Sequence, residues 1–165
     1  GISNYDGETT ARAAAILKEL HCPFIINQSR YSIFDRTIEK NGLKAYAAAH
    51  GVGVIAFSPL AQGLLTGRYL DGIPQDSRMA AGRSLQREVL TDAMLERLRA
   101  LNDIARQRGQ TLAEMALAWL LRDKRVTSVI VGARSAAQIE DNLRALENAS
   151  FSDDELARID ALSRE

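Results

Sequence analysis

The chain alternates short apolar runs with longer stretches in which apolar residues recur at a helical spacing. Four segments are predicted as strands, at residues 1–5, 24–27, 52–57 and 126–131. Helices are predicted at residues 8–20, 41–50, 91–108, 111–121, 135–146 and 152–163. The predicted strands are mostly apolar without alternation, which is typical of parallel strands covered on both faces. The order of the elements predicts an α/β protein built from βαβ units.

Polar residues and glycine mark the ends of several predicted helices. Thr111 and Glu114 have the spacing of a capping box, in which each side chain bonds the backbone amide of the other, and Ser152 and Glu155 repeat that spacing. Gly109 is predicted to stop the helix before it.

Residues 58–90 are rich in Gly, Gln, Asp, Arg and Pro and predict a long loop. A loop of this length in a compact domain is usually functional or disordered. Because it directly follows a strand, it belongs to the carboxyl ends of the strands, where parallel α/β proteins bind their ligands.

Composition narrows the possible functions. The 165 residues are 46% apolar and 25% charged with a net charge of zero, which is ordinary for a globular protein. The lack of a basic excess argues against nucleic-acid binding, and no apolar run approaches the roughly 20 residues of a membrane span. No targeting peptide is visible at Gly1. The single cysteine, Cys22, has no metal-ligand spacing around it, so we expect a buried, reduced thiol, no metal site and a cytoplasmic protein.

Polar or aromatic residues stand where each predicted strand ends. The four strand ends carry Ser3 and Asn4, then Asn27 and Gln28, then Phe57 and Ser58, and finally Gly132 and Arg134 before a helix that opens at Ser135. Amides and hydroxyls pair well with a planar carboxamide, an aromatic ring offers a stacking surface, and a helix N-terminus after glycine binds phosphate. These residue types together predict a nucleotide-cofactor site without identifying the cofactor.

Five strings carry a resemblance to a known family: GISNY, NQSRYS, FSPLAQGLLTGRY, GIPQDSR and VGARSAAQIEDNL. In order and spacing they resemble the aldo-keto reductases, most closely the bacterial L-glyceraldehyde 3-phosphate reductase branch, with potassium-channel β-subunits as neighbours. The resemblance covers essentially the whole chain. It implies a single domain over residues 1–165 that forms the C-terminal half of a (β/α)₈ barrel, from the fifth strand to the helices after the eighth, with an extra long βα loop.

The resemblance also implies NADPH as cofactor and a role for each matching residue. Ser3, Asn4 and Gln28 match residues that hydrogen-bond the nicotinamide carboxamide, and Phe57 matches the aromatic residue, Tyr or Trp in other members, that stacks on the nicotinamide ring. The residues that match the loop covering the pyrophosphate are Ser58, Pro59, Leu60, Gln62 and Gly63. Arg68 and Arg78 match basic residues near the phosphates. The residues that match the adenosine end are Gly132, Arg134, Gln138, Asp141 and Asn142. Arg134 replaces a residue that is Ser in some relatives, and its guanidinium would favour the 2′-phosphate of NADPH over NADH.

Some of these residues have simpler alternative roles. Gln138 has the spacing to complete a capping box with Ser135. Asp141 and Asn142 are more often residues of a solvated helix face, and Arg68 and Arg78 are more often residues of a solvated loop. Phe57, at the end of an apolar strand, would ordinarily belong to the core.

No catalytic residue is predicted in this chain. The family's acid–base tetrad of Asp, Tyr, Lys and His comes from the first four barrel strands, and none of those positions occurs here. We therefore expect a cofactor-holding half that is inactive alone and is completed by the N-terminal half of the barrel. The full-length protein is expected to reduce small aldehydes or ketones to alcohols. A non-catalytic redox-sensing subunit, an inactive half-barrel and a homo-oligomer remain alternatives.

Overall fold

The computed structural model describes residues 1–75, 77, 79, 80, 82 and 85–163. Its strands are β1 (Ile2–Ser3), β2 (Ile26–Arg30), β3 (Gly53–Phe57) and β4 (Ser128–Val129). Its helices are α1 (Gly7–Glu19), α2 (Thr37–Lys40), α3 (Leu43–His50), α4 (Asp92–Gln107), α5 (Leu112–Leu121), α6 (Ala136–Leu143) and α7 (Asp153–Ser163). Short 3₁₀ segments occupy Ala61–Thr66, Arg87–Val89 and Arg144–Leu146. No helix in these ranges combines the length and the apolar character that a membrane crossing needs.

The four strands form one parallel sheet in the order β1-β2-β3-β4. Helix α1 connects β1 to β2, and α2 and α3 connect β2 to β3. The predicted α/β class and the predicted βαβ units are therefore confirmed.

Internal contacts divide the chain into two units. The first unit comprises Gly1–Pro59 and Leu120–Gly132, and the second comprises Leu60–Trp119 and Ala133–Glu165. The sheet belongs to the first unit, and each unit is described by itself below. A single domain over residues 1–165 stays a prediction.

In the parallel sheet, residues that are register partners on neighbouring strands have their side chains on the same face. Ser3 lies opposite Gln28, and Arg30 lies opposite Phe57. Because side chains alternate along a strand, Gln28 and Arg30 share a face, while the residues between and beyond them point to the other face. Burial alternates in the same way, since Asn27 and Ser29 are buried and Gln28 and Arg30 are exposed. We call the side that carries Gln28 and Arg30 the exposed face of β2, and the side that carries Asn27 and Ser29 its buried face.

Three strand predictions were wrong in their limits. The first strand was predicted at residues 1–5 and lies at Ile2–Ser3. The second strand was predicted at residues 24–27 and lies at Ile26–Arg30, and the fourth was predicted at residues 126–131 but pairs only over Ser128–Val129. The prediction for the second strand followed the apolar run FII. The actual strand β2 is largely polar, and its buried polar residues are hydrogen-bonded within the chain. The predicted absence of alternation was wrong for the same strand.

The predicted helix caps are confirmed. Thr111 N donates to Glu114 Oε2 at 2.7 Å, and Glu114 N donates to Thr111 Oγ1 at 3.2 Å. Ser152 and Glu155 form the same pair of bonds at 2.7 and 3.2 Å. Gly109 follows α4 with a φ of 68°, a left-handed conformation that glycine adopts without strain.

In the second unit, α4 buries one stripe that includes Leu98, Leu101 and Ile104. Immediately after α4, Arg108 donates to the carbonyl oxygens of Asn148 and Ser150 at 3.0 and 2.9 Å. These bonds hold the segment that leads into α7. The long predicted loop at residues 58–90 contains 3₁₀ turns at Ala61–Thr66 and Arg87–Val89, so it is less irregular than its composition indicates.

Candidate functional site

The carboxyl ends of β1 and β2 meet through hydrogen bonds to one carbonyl group. Ser3 Oγ and Asn4 N both donate to Gln28 O, each at 2.9 Å. Asn4 has a φ of 58°, a left-handed conformation that asparagine adopts more readily than most residues other than glycine. Ser3, Asn4 and Gln28, which were predicted to act together, are therefore neighbours in the structure.

The side chain of Gln28 is exposed and makes no hydrogen bond within the described part of the chain. The Ser3 hydroxyl uses its proton on the Gln28 carbonyl and keeps its lone pairs as acceptors. This edge of the sheet thus offers an amide and a hydroxyl oxygen to a ligand.

The end of β3 adds an aromatic ring on the same face. Phe57 is half-buried, lies opposite Arg30 in the register and accepts a bond from Tyr31 N through its carbonyl oxygen at 3.3 Å. Ser58 follows with a left-handed φ of 54°, and Pro59 is buried. The chain therefore turns sharply where β3 ends.

The buried face of β2 is held by polar contacts with α1. Asn27 Nδ2 donates to Thr10 Oγ1 at 3.1 Å, and Ser29 Oγ donates to Asn27 Oδ1 at 3.0 Å. Buried polar groups without such partners would be costly. These bonds position the strand that carries Gln28.

Beyond Ser29, the buried face continues into a set of interacting polar side chains that we call the Glu39 cluster. Its members are Tyr31, Arg36, Glu39, Lys44, Arg122 and Asp123. The Tyr31 hydroxyl donates to Glu39 Oε1 and accepts from Lys44 Nζ at 3.2 Å and Arg122 Nη1 at 3.3 Å.

Ion pairs complete the Glu39 cluster. Arg36 Nη2 lies 2.6 Å from Glu39 Oε2, and Arg122 Nη2 lies 3.3 Å from Glu39 Oε1. Lys44 Nζ lies 2.8 Å from Asp123 Oδ2 and 3.7 Å from Glu39 Oε1. Three cations thus surround one carboxylate, and a second carboxylate pairs with the lysine.

This environment shifts the pKa values of the acidic members. Burial alone would raise the pKa of Glu39, but hydrogen bonds from Tyr31 and Arg36 and the charges of Arg36 and Lys44 hold it below its ordinary value. For Asp123, burial is likewise outweighed by Lys44, and the pKa is lowered. Burial raises the pKa of Tyr31, although the charge of Arg122 opposes the change, so this phenol is neutral near pH 7.

In the second unit, a turn with a left-handed backbone contains Leu60, Gln62 and Gly63, three of the five residues predicted to cover a pyrophosphate. Ala61, Gln62 and Gly63 have successive positive φ values of 48°, 58° and 108°. Gly63 N donates to Leu60 O at 2.9 Å and closes the turn. Successive backbone N–H groups in turns of this kind can form anion-binding concavities.

The basic residues predicted after this turn are described only in part. Arg68 is exposed and makes contacts within the chain. Arg78 lies outside the described residues, so its predicted role is not tested.

The start of α6 has the predicted cap. Gln138 N donates to Ser135 Oγ at 3.3 Å, and Gln138 Oε1 accepts from Arg134 N at 2.9 Å. The capping role of Gln138 is confirmed, with the difference that its side chain reaches the backbone of Arg134 rather than that of Ser135. The cap therefore fixes the backbone of Arg134, and Arg134 itself is exposed.

The remaining residues predicted for the adenosine end are solvent-accessible. Asp141 forms an exposed ion pair of 3.1 Å with Arg144, and Asn142 is half-buried. In the first unit, a Cβ atom added at Gly132 would meet nothing within 4 Å, which leaves room for a ligand beside the backbone.

A cleft of about 450 Å³ lies at the amino ends of β2 and β3, away from the carboxyl ends that carry Gln28 and Phe57. The ends of α1 and α3 and the residues that precede β2 and β3 line it, and they include His21 and His50. Both histidines thus lie away from Gln28, as predicted. Cys22 follows His21 and is exposed, so the predicted burial of this thiol was wrong. Leu20 and Ile25, on either side of it, are also 68% and 71% exposed, so the connection between α1 and β2 runs over the surface.

Sequence reasoning missed two features of this unit. The Glu39 cluster joins residues up to 91 positions apart, and no local pattern signals it. Arg30 was not singled out, although its position two residues after Gln28 could have indicated a shared strand face. The cofactor roles assigned to individual residues stay predictions.

Comparison with known proteins identifies relatives along nearly the whole chain. Residues 1–164 match the profile described as the Aldo/keto reductase family. The chain is 52% identical over 164 residues to the L-glyceraldehyde 3-phosphate reductase of Escherichia coli (strain K12), which covers 97% of this chain and 47% of that protein.

Two further relatives carry a different name. A probable voltage-gated potassium channel subunit beta of Arabidopsis thaliana is 40% identical over 143 residues, covering 84% of this chain and 43% of that protein. A protein of the same name from Oryza sativa subsp. japonica is 39% identical over 127 residues, covering 74% of this chain and 38% of that protein. The chain spans about half the length of the curated relatives it matches, or less. The resemblance seen in the sequence is confirmed, and the parallel sheet agrees with part of the (β/α)₈ barrel typical of that family.

Proposed function

Because the chain belongs to the aldo/keto reductase family, we propose that the full-length protein is an NADPH-dependent reductase of small aldehydes or ketones. The observation that carries the proposal is the strand register of the first unit, which aligns Ser3 with Gln28 and Arg30 with Phe57 on one face of the sheet. The identity to an Escherichia coli enzyme named for an aldehyde substrate supports the same reaction class.

The residues on this face fit a nicotinamide group. A carboxamide has two N–H donors and one carbonyl acceptor, which the Gln28 amide and the Ser3 hydroxyl oxygen can complement. Phe57 supplies a flat apolar surface for stacking but, unlike the Tyr or Trp of other members, no polar group. When bound, NADPH supplies the hydride that reduces the carbonyl carbon.

In this proposal the residues of this chain bind and orient the cofactor, and they do not transfer protons. The backbone of Gln28 is held by the side-chain bonds of its neighbours Asn27 and Ser29, and by the bonds from Ser3 and Asn4 to its carbonyl oxygen. A strand held in this way fixes the place from which the Gln28 amide reaches the cofactor. The proton for the developing alkoxide is assigned to the family's tyrosine, for which this chain has no matching position.

Contacts with the phosphates and the adenosine are assigned to the residues that the family resemblance matches to those groups. The turn at Ala61–Thr66 offers backbone N–H groups, and Arg134 offers a guanidinium to the 2′-phosphate that distinguishes NADPH from NADH. The adenosine role of Gln138 has to coexist with its capping bond to Arg134.

The test is a titration of the full-length protein with NADPH and with NADH, followed by nucleotide fluorescence. Gln28→Ala should weaken both nucleotides by about 10-fold, since it removes a contact to the part that they share. Arg134→Ala should weaken NADPH by about 10-fold to 100-fold and leave NADH within about 2-fold, because only NADPH carries the 2′-phosphate.

Arg106→Ala is the matched control for Arg134→Ala, since Arg106 is an exposed arginine on α4 with no predicted role, and it should change neither affinity. Unchanged affinities in both site variants would refute the site assignment. An equal loss of both nucleotides in Arg134→Ala would refute only the 2′-phosphate role.

The two plant relatives favour a second candidate function, that of a non-catalytic cofactor-binding subunit of a channel. Tight NADPH binding without steady-state reduction of any small aldehyde would support this candidate, and turnover would exclude it as the sole function. The higher identity and coverage of the bacterial reductase favour the enzyme.

A further inference from the structure

The cleft at the amino ends of β2 and β3 has the build of a small-molecule site. It lies wholly within the first unit, between the last turns of α1 and α3. Its volume of about 450 Å³ falls in the range of about 300–1,000 Å³ that is usual for such sites. Four of its lining residues are apolar and half-buried: Ala14, Leu17, Phe24 and Val52. They form an apolar floor against which the body of a ligand can be buried.

Backbone hydrogen bonds fix the wall of the cleft where α1 ends. Cys22 N donates to Leu17 O at 2.8 Å, and His21 N donates to Lys18 O at 3.1 Å. His21 has a left-handed φ of 54°, so this end is a Schellman motif with histidine at the position that glycine usually takes. These bonds occupy carbonyl oxygens that would otherwise favour a cation at the end of the helix.

The wall formed by α3 offers a flat aromatic surface. The rings of Tyr46 and His50 are stacked, with centroids 4.0 Å apart and an interplanar angle of 16°. His50 Nδ1 lies 2.9 Å from Tyr46 O, and because a carbonyl oxygen only accepts, Nδ1 carries the proton in this bond. A ring pair held in this way can receive a further planar ring by stacking.

The charge on the margin of the cleft favours an anion. Lys18 is exposed, and its ammonium group makes no hydrogen bond or ion pair within the described part of the chain. Among the described residues that line the cleft, none is acidic. Glu19 follows Lys18 directly on α1 and is therefore rotated about 100° away around the helix axis. A carboxylate on a ligand would supply the missing countercharge.

We propose that this cleft binds a planar aromatic carboxylate, with its rings on the apolar floor beside Tyr46 and its carboxylate paired with Lys18. The site is separate from the proposed nicotinamide contacts, because Gln28 and Phe57 lie at the carboxyl ends of the strands. The inference goes beyond the proposed reductase function and does not depend on it.

The experiment is a calorimetric titration of the full-length protein with three probes that share one ring system and differ in charge. The probes are 2-naphthoate, 2-naphthamide and 2-naphthylmethylammonium. We expect the anion to bind with a Kd of no more than about 1 mM, the neutral amide to bind about 3-fold to 10-fold more weakly, and the cation to bind more weakly still. Saturating NADPH should leave the Kd of the anion within about 2-fold.

The first variant tests the charge. Lys18→Gln should weaken 2-naphthoate by about 3-fold to 10-fold and leave 2-naphthamide within about 2-fold, because only the anion pairs with the ammonium group. Lys18→Arg keeps the charge and should keep the affinity. Lys40→Gln is the matched control, since Lys40 is an exposed lysine on α2 outside the lining of the cleft, and it should change neither affinity.

A second pair of variants tests the place of binding. Ala14→Leu adds side-chain atoms to the apolar floor and should weaken 2-naphthoate by at least about 10-fold. Ala15→Leu makes the same change at an exposed neighbour that does not line the cleft, and it should leave the affinity within about 2-fold. Both variants should retain the NADPH affinity of the wild type.

Four outcomes would overturn the inference. They are the absence of 2-naphthoate binding, binding of the amide or the cation that is as tight as that of the anion, full binding in Ala14→Leu, and displacement of 2-naphthoate by NADPH. A protein that binds 2-naphthoate in the cleft and does not bind NADPH would support this inference and remove the cofactor proposal, so the two can fail separately.

Discussion

The two faces of β2 differ in how their polar side chains are used. On the buried face, Asn27, Ser29 and Tyr31 all have hydrogen-bond partners within the chain. On the exposed face, the Gln28 amide has no partner among the residues that the structure describes, and the Arg30 side chain is 49% exposed and pairs with Asp35 at 3.6 Å. In our proposal, alternate residues of one short strand have different roles, with stability on the buried face and ligand binding on the exposed face.

The physical reason is the cost of burying polar groups. A buried donor or acceptor without a partner costs about 1–3 kcal/mol, so the residues of the buried face must satisfy one another. Exposed groups can exchange water for a ligand and need no internal partner. Mutations on the two faces should therefore have separable effects, on stability for one and on binding for the other.

The variant Glu39→Gln is the strongest test of whether the two faces have separate roles. Replacing the carboxylate would leave Arg36, Lys44 and Arg122 close together with less countercharge, so the full-length protein should lose about 3–5 kcal/mol of its free energy of unfolding, measured in urea. Arg30→Gln, on the other face, should change that free energy by no more than about 0.5 kcal/mol. Similar losses in both variants would mean that the two faces are not separable.

The Glu39 cluster should also make stability depend on pH, by no more than the loss in Glu39→Gln. The pKa values of Glu39 and Asp123 are lowered from the ordinary 4.5 and 3.8, so the unfolded chain binds more protons than the folded chain below those values. The stabilisation is therefore complete above the ordinary pKa values and is lost as the pH falls through the lowered ones. Urea unfolding between pH 7 and pH 3 should show the difference between wild type and Glu39→Gln shrinking with acid, and a constant difference would contradict this origin.

A smaller loss is expected from Asn27→Ala. This change leaves Thr10 and Ser29 without their shared partner and should cost about 1–3 kcal/mol in the same urea assay. NADPH affinity, measured where the variant is fully folded, should stay within about 2-fold, because Asn27 does not reach the exposed face. A large loss of affinity with little loss of stability would reverse the roles that we assign to the two faces.

The sequence predicted local structure better than it predicted the faces of β2. The capping pairs Thr111–Glu114 and Ser152–Glu155 were found because a box depends on residues three positions apart. The limits of β2 were missed, because strand predictions rely on apolar residues and this strand has polar residues on both sides. The buried polar residues of this strand, Asn27 and Ser29, bond each other and Thr10, which is distant in the sequence.

The candidate site was predicted in outline for a different reason. Polar residues at strand ends, together with the family resemblance, indicated Ser3, Asn4 and Gln28, and the register brings them together. The left-handed φ values of Asn4 and Ser58 could not be predicted, because neither residue type requires that conformation. Arg30 was not considered because the predicted strand ended at residue 27, whereas β2 continues to Arg30.

The exposure of Cys22 has a practical consequence. It is the single cysteine of this chain, and it follows α1 at the amino ends of the strands, beside the cleft that contains His21 and His50. A maleimide fluorophore attached there would sit at the end of the sheet remote from Gln28 and Arg30. Such a label would offer an optical reporter of nucleotide or aldehyde addition that does not obstruct either.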